Sequence, residues 1–478
     1  MNNEKEGAPL WISGDVAAAL QCAYEGAPDI PVCGVSIDSR TVSEADIFFA
    51  ITGERFDGHD FVDGAIAQGA SFAVVAQDKC ATLTSDKTRL FVVDDVLQAL
   101  EKLGRAARSR FKGRTVAVTG SVGKTGTKEM LRLAFGASGQ VHASVASFNN
   151  HWGVPLTLSR TPTAMDFAVY EIGMNHPGEI IPLVDMVRPD IAIITTVEAV
   201  HLAFFNDEAE IARAKAEIFT GVKPGGHAVL NRDNQHFDLL KSLAEANSVA
   251  VAAFGEQNGC DVQLLDVALK TDASFVEARV FGRGVSYTLG APGRHLVQNS
   301  LAVAAALHLS GADVNKGLQA LSTLNAPKGR GARHSLMIED DHFTLLDESY
   351  NANPASMRAA IALLAGAKVG EGGKRIAVLG DMLELGEKSD NLHAALLLPL
   401  IEAGVDVVYL SGPHMKALWD LLPHEMRGKY AGNSDDLVQI LPKAVAKGDV
   451  VMIKGSLGSR MGQLVELLTS QYPAYQFS

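Results

Sequence analysis

The chain has 478 residues, 47% of them hydrophobic and 20% charged, with a formal net charge of −13. That length accommodates roughly three ordinary domains, and the composition excludes a disordered chain. The acidic balance excludes a general nucleic-acid binder, whose phosphate contacts need a basic face, while leaving room for a local basic pocket for a phosphorylated small molecule.

The N-terminus, MNNEKEGAPL, carries no basic segment ahead of an apolar core, and no apolar run approaches the length of a bilayer span. Neither a signal peptide nor membrane insertion is expected, and the chain reads as cytoplasmic. Cys22, Cys33, Cys80 and Cys260 form no CxxC pair and no metal-ligand spacing, so they read as reduced thiols.

Residues 1–110 read as a small α/β domain. The runs DIFFAI (46–51), SFAVVA (71–76) and RLFVVDD (89–95) are strand-like, and Asp38-Ser39-Arg40-Thr41 is a polar turn. Ser39 and Arg40 could bind a diphosphate there, or the segment could be only a turn.

Residues 111–326 read as a central nucleotide domain. Between Thr115 and Phe135 the chain reads TVAVTGSVGKTGTKEMLRLAF: a β-branched apolar run, a glycine turn, then Lys124 and Thr125 opening a helix. Met130, Leu131, Ala134 and Phe135 mark one apolar face of that helix. The turn is Gly120-Ser121-Val122-Gly123-Lys124-Thr125-Gly126, shorter than the full G-x-x-x-x-G-K-[ST] pattern because position 118 is Val. A strand, a glycine loop and a helix N-terminus make an anion cradle. Lys124 can reach β- and γ-phosphates, and the Thr125 hydroxyl can sit on Mg²⁺.

Further strand-like runs follow at 167–173, 191–197 and 227–233, alternating with helical patterns, which predicts a doubly wound, mainly parallel sheet. Ligands bind at the carboxyl ends of such strands. Glu171 and His201 fall at two of those ends and should face the P-loop, as metal ligands or as caps and core hydrogen-bonders. FNDEAEIARAKAEIFT (205–220) reads as a helix capped by Asn206 or Asp207, with Lys215 leaning toward its apolar stripe. In APGRHLVQNSLAVAAA (291–306) a glycine turn precedes an apolar helix expected to begin about Asn299.

A linker at Pro327-Lys328-Gly329 opens the third domain, 327–478. FTLLDESYNANPASM (343–357) reads as strand, asparagine-rich loop and helix. Three buried-strand patterns at 375–386, 405–412 and 449–456 complete an open sheet of Rossmann type, without G-x-G-x-x-G and so without demand for a dinucleotide. Arg330, in KGRGARH, could complete a triphosphate site as this domain closes, or be a surface arginine of the linker.

The order of TGSVGKTGTKE, SFNNHWGVPLTL, EIGMNHPGEI, AKAEIF, GRHLVQNSLAVAAA, DESYNANPASM and LGDMLELG along nearly the whole chain resembles the Mur ligases. The resemblance implies an ATP-dependent amide ligase of three α/β domains. The first domain would bind the UDP-linked substrate, the central one ATP, and the third the incoming amine. NHPGEI with SYNANP and GDMLELG points to the branch that adds D-Ala-D-Ala to UDP-N-acetylmuramoyl tripeptide. By the same resemblance, Lys124 and Thr125 serve phosphate and Mg²⁺, and Glu171 and His201 are metal ligands. Lys215 matches a lysine that is carbamylated and then binds a second Mg²⁺. Asn299 matches an adenine contact and Arg330 a γ-phosphate contact. Ser39 and Arg40 match uridine-nucleotide contacts, Asn149 and Asn150 contacts near the muramoyl part, and Tyr350, Asn351 and Asn353 neighbours of the dipeptide. A monomer is expected.

Three positions depart from the family pattern. Gly126 stands where a second threonine is usual. Glu348 replaces an aspartate that faces the ATP ribose, keeping the carboxylate on a longer arm. KGSLGSRMG (454–462) differs from the usual ending, which leaves Arg460 without a transferable role. Another Mur-type or folylpolyglutamate-type ligase, or a P-loop regulatory ATPase, remains as an alternative.

Overall fold

The computed structural model describes residues 9–145, 147–199, 204–270, 272–325 and 328–475. His201 and the 326/327 boundary lie outside them. The chain builds three α/β domains around sheets of four, nine and six strands, plus a two-stranded ribbon near the N-terminus.

Strict alternation along each strand supplies two cores per sheet, since successive side chains face opposite sides. In Arg114–Thr119, Val116 and Val118 join the helices Lys124–Gly136 and Arg294–Ser310 on one face, while Ala117 joins Ile180–Val187 and Glu208–Ala216 on the other. The third domain divides Arg375–Gly380 likewise, with Ala377 and Leu379 on one side and Ile376 and Val378 on the other. The first domain is a four-stranded parallel sheet, Gly34–Ser36, Asp46–Phe49, Phe72–Ala76 and Leu90–Val93.

In the central sheet the P-loop strand lies between Phe167–Glu171 and Ile191–Ile194, parallel to both. The chain crosses over the P-loop strand between these two neighbours, so the carboxyl ends of all three border one crevice. The expected parallel runs are present. The sheet also continues into the strands Val262–Leu269, Ser274–Val280 and Arg283–Leu289, of which the last two are antiparallel additions. The third domain's sheet is parallel apart from the edge strand Ala332–Ile338.

One expected boundary is corrected. The apolar helix begins at Arg294, not near Asn299, with Gly293 at its N-cap. Arg294, His295 and, a turn later, Gln298 give its beginning a polar face that hid its start. The helix carrying Lys215 spans Glu208–Ala216, and of the two candidate caps Asp207 is the one used, accepting from the Glu210 N–H. Among the described residues no helix is long and apolar enough to cross a membrane.

Candidate active site

A cavity of about 670 Å³ lies between the central and third domains. The central domain lines it with Ser121, Val122, Gly123, Lys124 and Gly126 of the P-loop, Asn149, Glu171 and Asn299. The third domain lines it with Arg330, Glu348, Tyr350, Asn351, Asn353 and Lys454. Most of the residues singled out in sequence therefore converge on one space.

The P-loop turn links Arg114–Thr119 to Lys124–Gly136. Gly123 sits at the helix N-cap in the left-handed region, φ +86°, and a Cβ there would come 2.7 Å from Asn299 Nδ2. Only glycine allows both the backbone and this close approach. Gly126 differs: it is helical, and a Cβ would meet nothing nearer than Leu296 Cδ2 at 3.8 Å. Lys124 Nζ donates to the carbonyls of Gly120 at 2.6 Å and Ser121 at 3.3 Å. Its pKa is drawn down to about 8, mainly by desolvation, with Glu171 opposing and Arg330 assisting.

The Thr125 hydroxyl lies 3.0 and 3.2 Å from the two Glu171 carboxylate oxygens and 3.2 Å from Ser147 Oγ. Asn149 Nδ2 donates to Glu171 Oε1 at 2.7 Å. This contact follows from register, since Glu171 pairs with Val118 one strand over from the loop. Among the described residues no group of three His, Cys, Asp or Glu could hold a metal alone. The donors that do meet here are hard oxygens: one carboxylate and one or two hydroxyls. They fit Mg²⁺, which binds through one or two protein oxygens and takes the rest from phosphate and water.

Lys215 is buried to 2% exposure on the inner side of its helix. Its pKa is pushed well below the usual lysine range, first by desolvation and then by the charge of Lys124. An amine so placed is readily neutral.

Arg330 projects into the cavity rather than into solvent, with its guanidinium carbon 4.2 Å from the Tyr350 ring centre and Nη2 3.5 Å from Ser147 Oγ. Glu348 keeps its carboxylate at the cavity, 3.6 Å from Lys454 Nζ. Desolvation raises the acid and lowers the lysine, and each partner's charge opposes the shift. Lys454 was missed in sequence; a lysine ending the apolar strand Val450–Lys454 was the available signal.

Other residues have local duties. Asn353 caps Pro354–Gly366 by accepting from the Ser356 N–H at 2.9 Å. Asn150 does not line the cavity; its Oδ1 accepts from the Gly153 N–H at 2.9 Å, at the start of Gly153–Ser159. Ser39 and Arg40 also lie outside the cavity, on the turn Ser39–Thr41, where Arg40 is exposed and bonded to Asp38 at 2.7 Å. Arg460 is exposed and bonded loosely to Asp435.

Three family models match the chain in order: the Mur ligase family catalytic domain over 31–108, the Mur ligase middle domain over 118–307, and the Mur ligase glutamate ligase domain over 332–457. A UDP-N-acetylmuramoyl-tripeptide–D-alanyl-D-alanine ligase of Rickettsia prowazekii is 30% identical over 96% of this chain and 99% of its own. The chain belongs to the Mur ligase family. As a Mur ligase it is an ATP-dependent amide ligase. The crystal structure of MurF from Acinetobacter baumannii superposes with a TM-score of 0.82 at 28% identity, covering 96% of this chain and 99% of that one. The MurF ligase from Thermotoga maritima in complex with ADP gives 0.74 at 27% identity, covering 92% and 97%. These likenesses span all three domains.

Proposed function

We propose that this Mur ligase joins D-Ala-D-Ala to the terminal carboxylate of UDP-N-acetylmuramoyl tripeptide, with cleavage of ATP to ADP and phosphate. The observation that carries the reading is a P-loop facing, across one cavity, an arginine and an asparagine-rich loop of another domain. The relatives' names supply the substrates.

In this reading the tripeptide carboxylate oxygen attacks the γ-phosphorus of ATP, and the bond to the β,γ-bridging oxygen breaks, releasing ADP. The P-loop N–H groups and Lys124 hold the β- and γ-phosphates, and Arg330 neutralises the charge spreading over the transferred group. The dipeptide amine then attacks the acyl carbon of the acyl phosphate, phosphate departs, and the amine proton passes to solvent. An α-amino pKa of about 8 leaves enough free amine at neutral pH. Closure of the third domain over this cavity would keep water from the acyl phosphate.

Thr125 and Glu171 would hold one Mg²⁺, with His201 and a carbamylated Lys215 serving a second. The metal's contribution, when bound, is to screen the charge between carboxylate and triphosphate. Burial prepares Lys215 for its part: a neutral amine adds to CO₂, losing one proton, and leaves an anionic carbamate. Asn299 would contact adenine and Glu348 the ribose. Tyr350, Asn351 and Asn353 border the space left for the dipeptide. The first domain, with Ser39 and Arg40, would carry the uridine nucleotide, and Asn149 and Asn150 would serve the muramoyl side.

An amine panel tests the assignment. Product should form with D-Ala-D-Ala and not with lysine, diaminopimelate or glutamate. Ligation of a single amino acid in preference to the dipeptide would replace this reading by another Mur-type or folylpolyglutamate-type one.

A further inference from the structure

Asp347 is the penultimate residue of the strand Asp341–Glu348 and is completely buried. It makes no direct ion pair among the described residues; the buried Lys454, on which its charge acts from further off, lies against Glu348 instead. A buried carboxylate without a direct ion pair is costly unless hydrogen bonds satisfy it. Here three do. Oδ2 accepts from the Gly329 N–H at 2.8 Å, and Oδ1 accepts from the Ser349 N–H at 3.1 Å and the Ser349 hydroxyl at 2.6 Å. All three partners are donors, so both oxygens must accept, which a carboxylate does and an amide cannot.

The same residue holds the chain again two positions further on, where its backbone carbonyl accepts from the Gly331 N–H at 2.8 Å. Gly329 and Gly331 both have positive φ, +76° and +94°, and flank Arg330. The Gly329 carbonyl accepts from the Tyr350 N–H at 3.0 Å, which seats the Tyr350 ring beneath the guanidinium. Arg330 is thus the apex of a two-glycine turn whose two flanks are tied to one buried aspartate. The turn stands where the chain enters the third domain, and its apex points at Ser147 beside Thr125.

We propose that Asp347 is the positioning residue for Arg330, fixing the glycine turn so that the guanidinium meets the γ-phosphate; this rests on the reading of Arg330 given above. Asp347 itself touches no substrate in this scheme. Its effect must therefore appear only where a γ-phosphate is present.

The test is equilibrium binding by titration calorimetry, using ADP and the non-hydrolysable β,γ-imido analogue of ATP, each with Mg²⁺. Asp347→Asn should weaken the triphosphate analogue roughly tenfold or more, the scale of a hydrogen bond to a charged group, while ADP stays within about twofold. Arg330→Ala should show the same selective loss, and the double variant no more than Arg330→Ala alone. Equal weakening of both nucleotides, no weakening of either, or a full additional loss in the Arg330→Ala background would overturn the proposal. Should Asp347→Asn fail to fold, Ser349→Ala removes one of the three donors and should give a smaller selective loss, absent in the Arg330→Ala background; a non-selective loss there overturns the proposal equally. A wild-type chain that bound neither nucleotide would instead overturn the ligase reading beneath it.

Discussion

Replacing Gly123 by alanine isolates the geometry of the phosphate loop from its charges. The residue lies at φ +86°, where an L side chain costs roughly 1–2 kcal/mol. The new Cβ would also stand 2.7 Å from Asn299 Nδ2, so Asn299 or the loop must shift. Nucleotide binding must restore the cradle, and the strain then reappears as lost affinity, about 5- to 30-fold in Kd for ADP. Gly126→Ala, three residues on, is the matched control. Its Cβ meets only Leu296 Cδ2 at 3.8 Å, and alanine favours the helix interior by about 1 kcal/mol over glycine. Calorimetric titration of each variant with ADP and Mg²⁺ reads the difference directly. A Kd unchanged in Gly123→Ala, with an unchanged melting temperature, would refute the argument that this turn forms the nucleotide cradle.

Further outcomes follow from the two lysines. Lys124 titrates at about 8 without nucleotide, and a bound phosphate favours its charged form, so binding near pH 8 should take up protons and ADP affinity should fall as pH rises above that value. Calorimetry in buffers of different ionisation enthalpy measures this, and Lys124→Met should abolish it; no proton uptake in the wild type would count against the assignment. Lys215→Ala should lose ligation and recover part of it with added formate or acetate, which stand in for the carbamate. Full activity without rescue would remove Lys215 from the site.

The parts of this structure legible in sequence are those set by local pattern. The strand, glycine turn and helix around Lys124 each carry their own signal, and burial of Met130, Leu131, Ala134 and Phe135 follows from helical spacing. The meeting of Glu171 with Thr125 was reachable because strand ends in a parallel sheet share one crevice. Long-range partnerships were not. Nothing near Asp347 announces its bonds to Gly329 and Ser349, and the antiparallel strands after Val262 lack the continuous apolar run of their parallel neighbours. The true start of Arg294–Ser310 was hidden because Arg294, His295 and Gln298 fall within its first five residues, so the apolar stripe only becomes dense later. Asn150 shows the converse: a polar residue beside a motif can be spent on holding the turn that leads into a helix.

The most direct measurement is phosphate release from ATP by the purified chain, with UDP-N-acetylmuramoyl tripeptide and D-Ala-D-Ala added singly and together. Release that needs the tripeptide substrate and reaches full rate only with both, with a product heavier by the dipeptide less one water, is the expected result. Release indifferent to both substrates would contradict the ligase account and favour a regulatory ATPase.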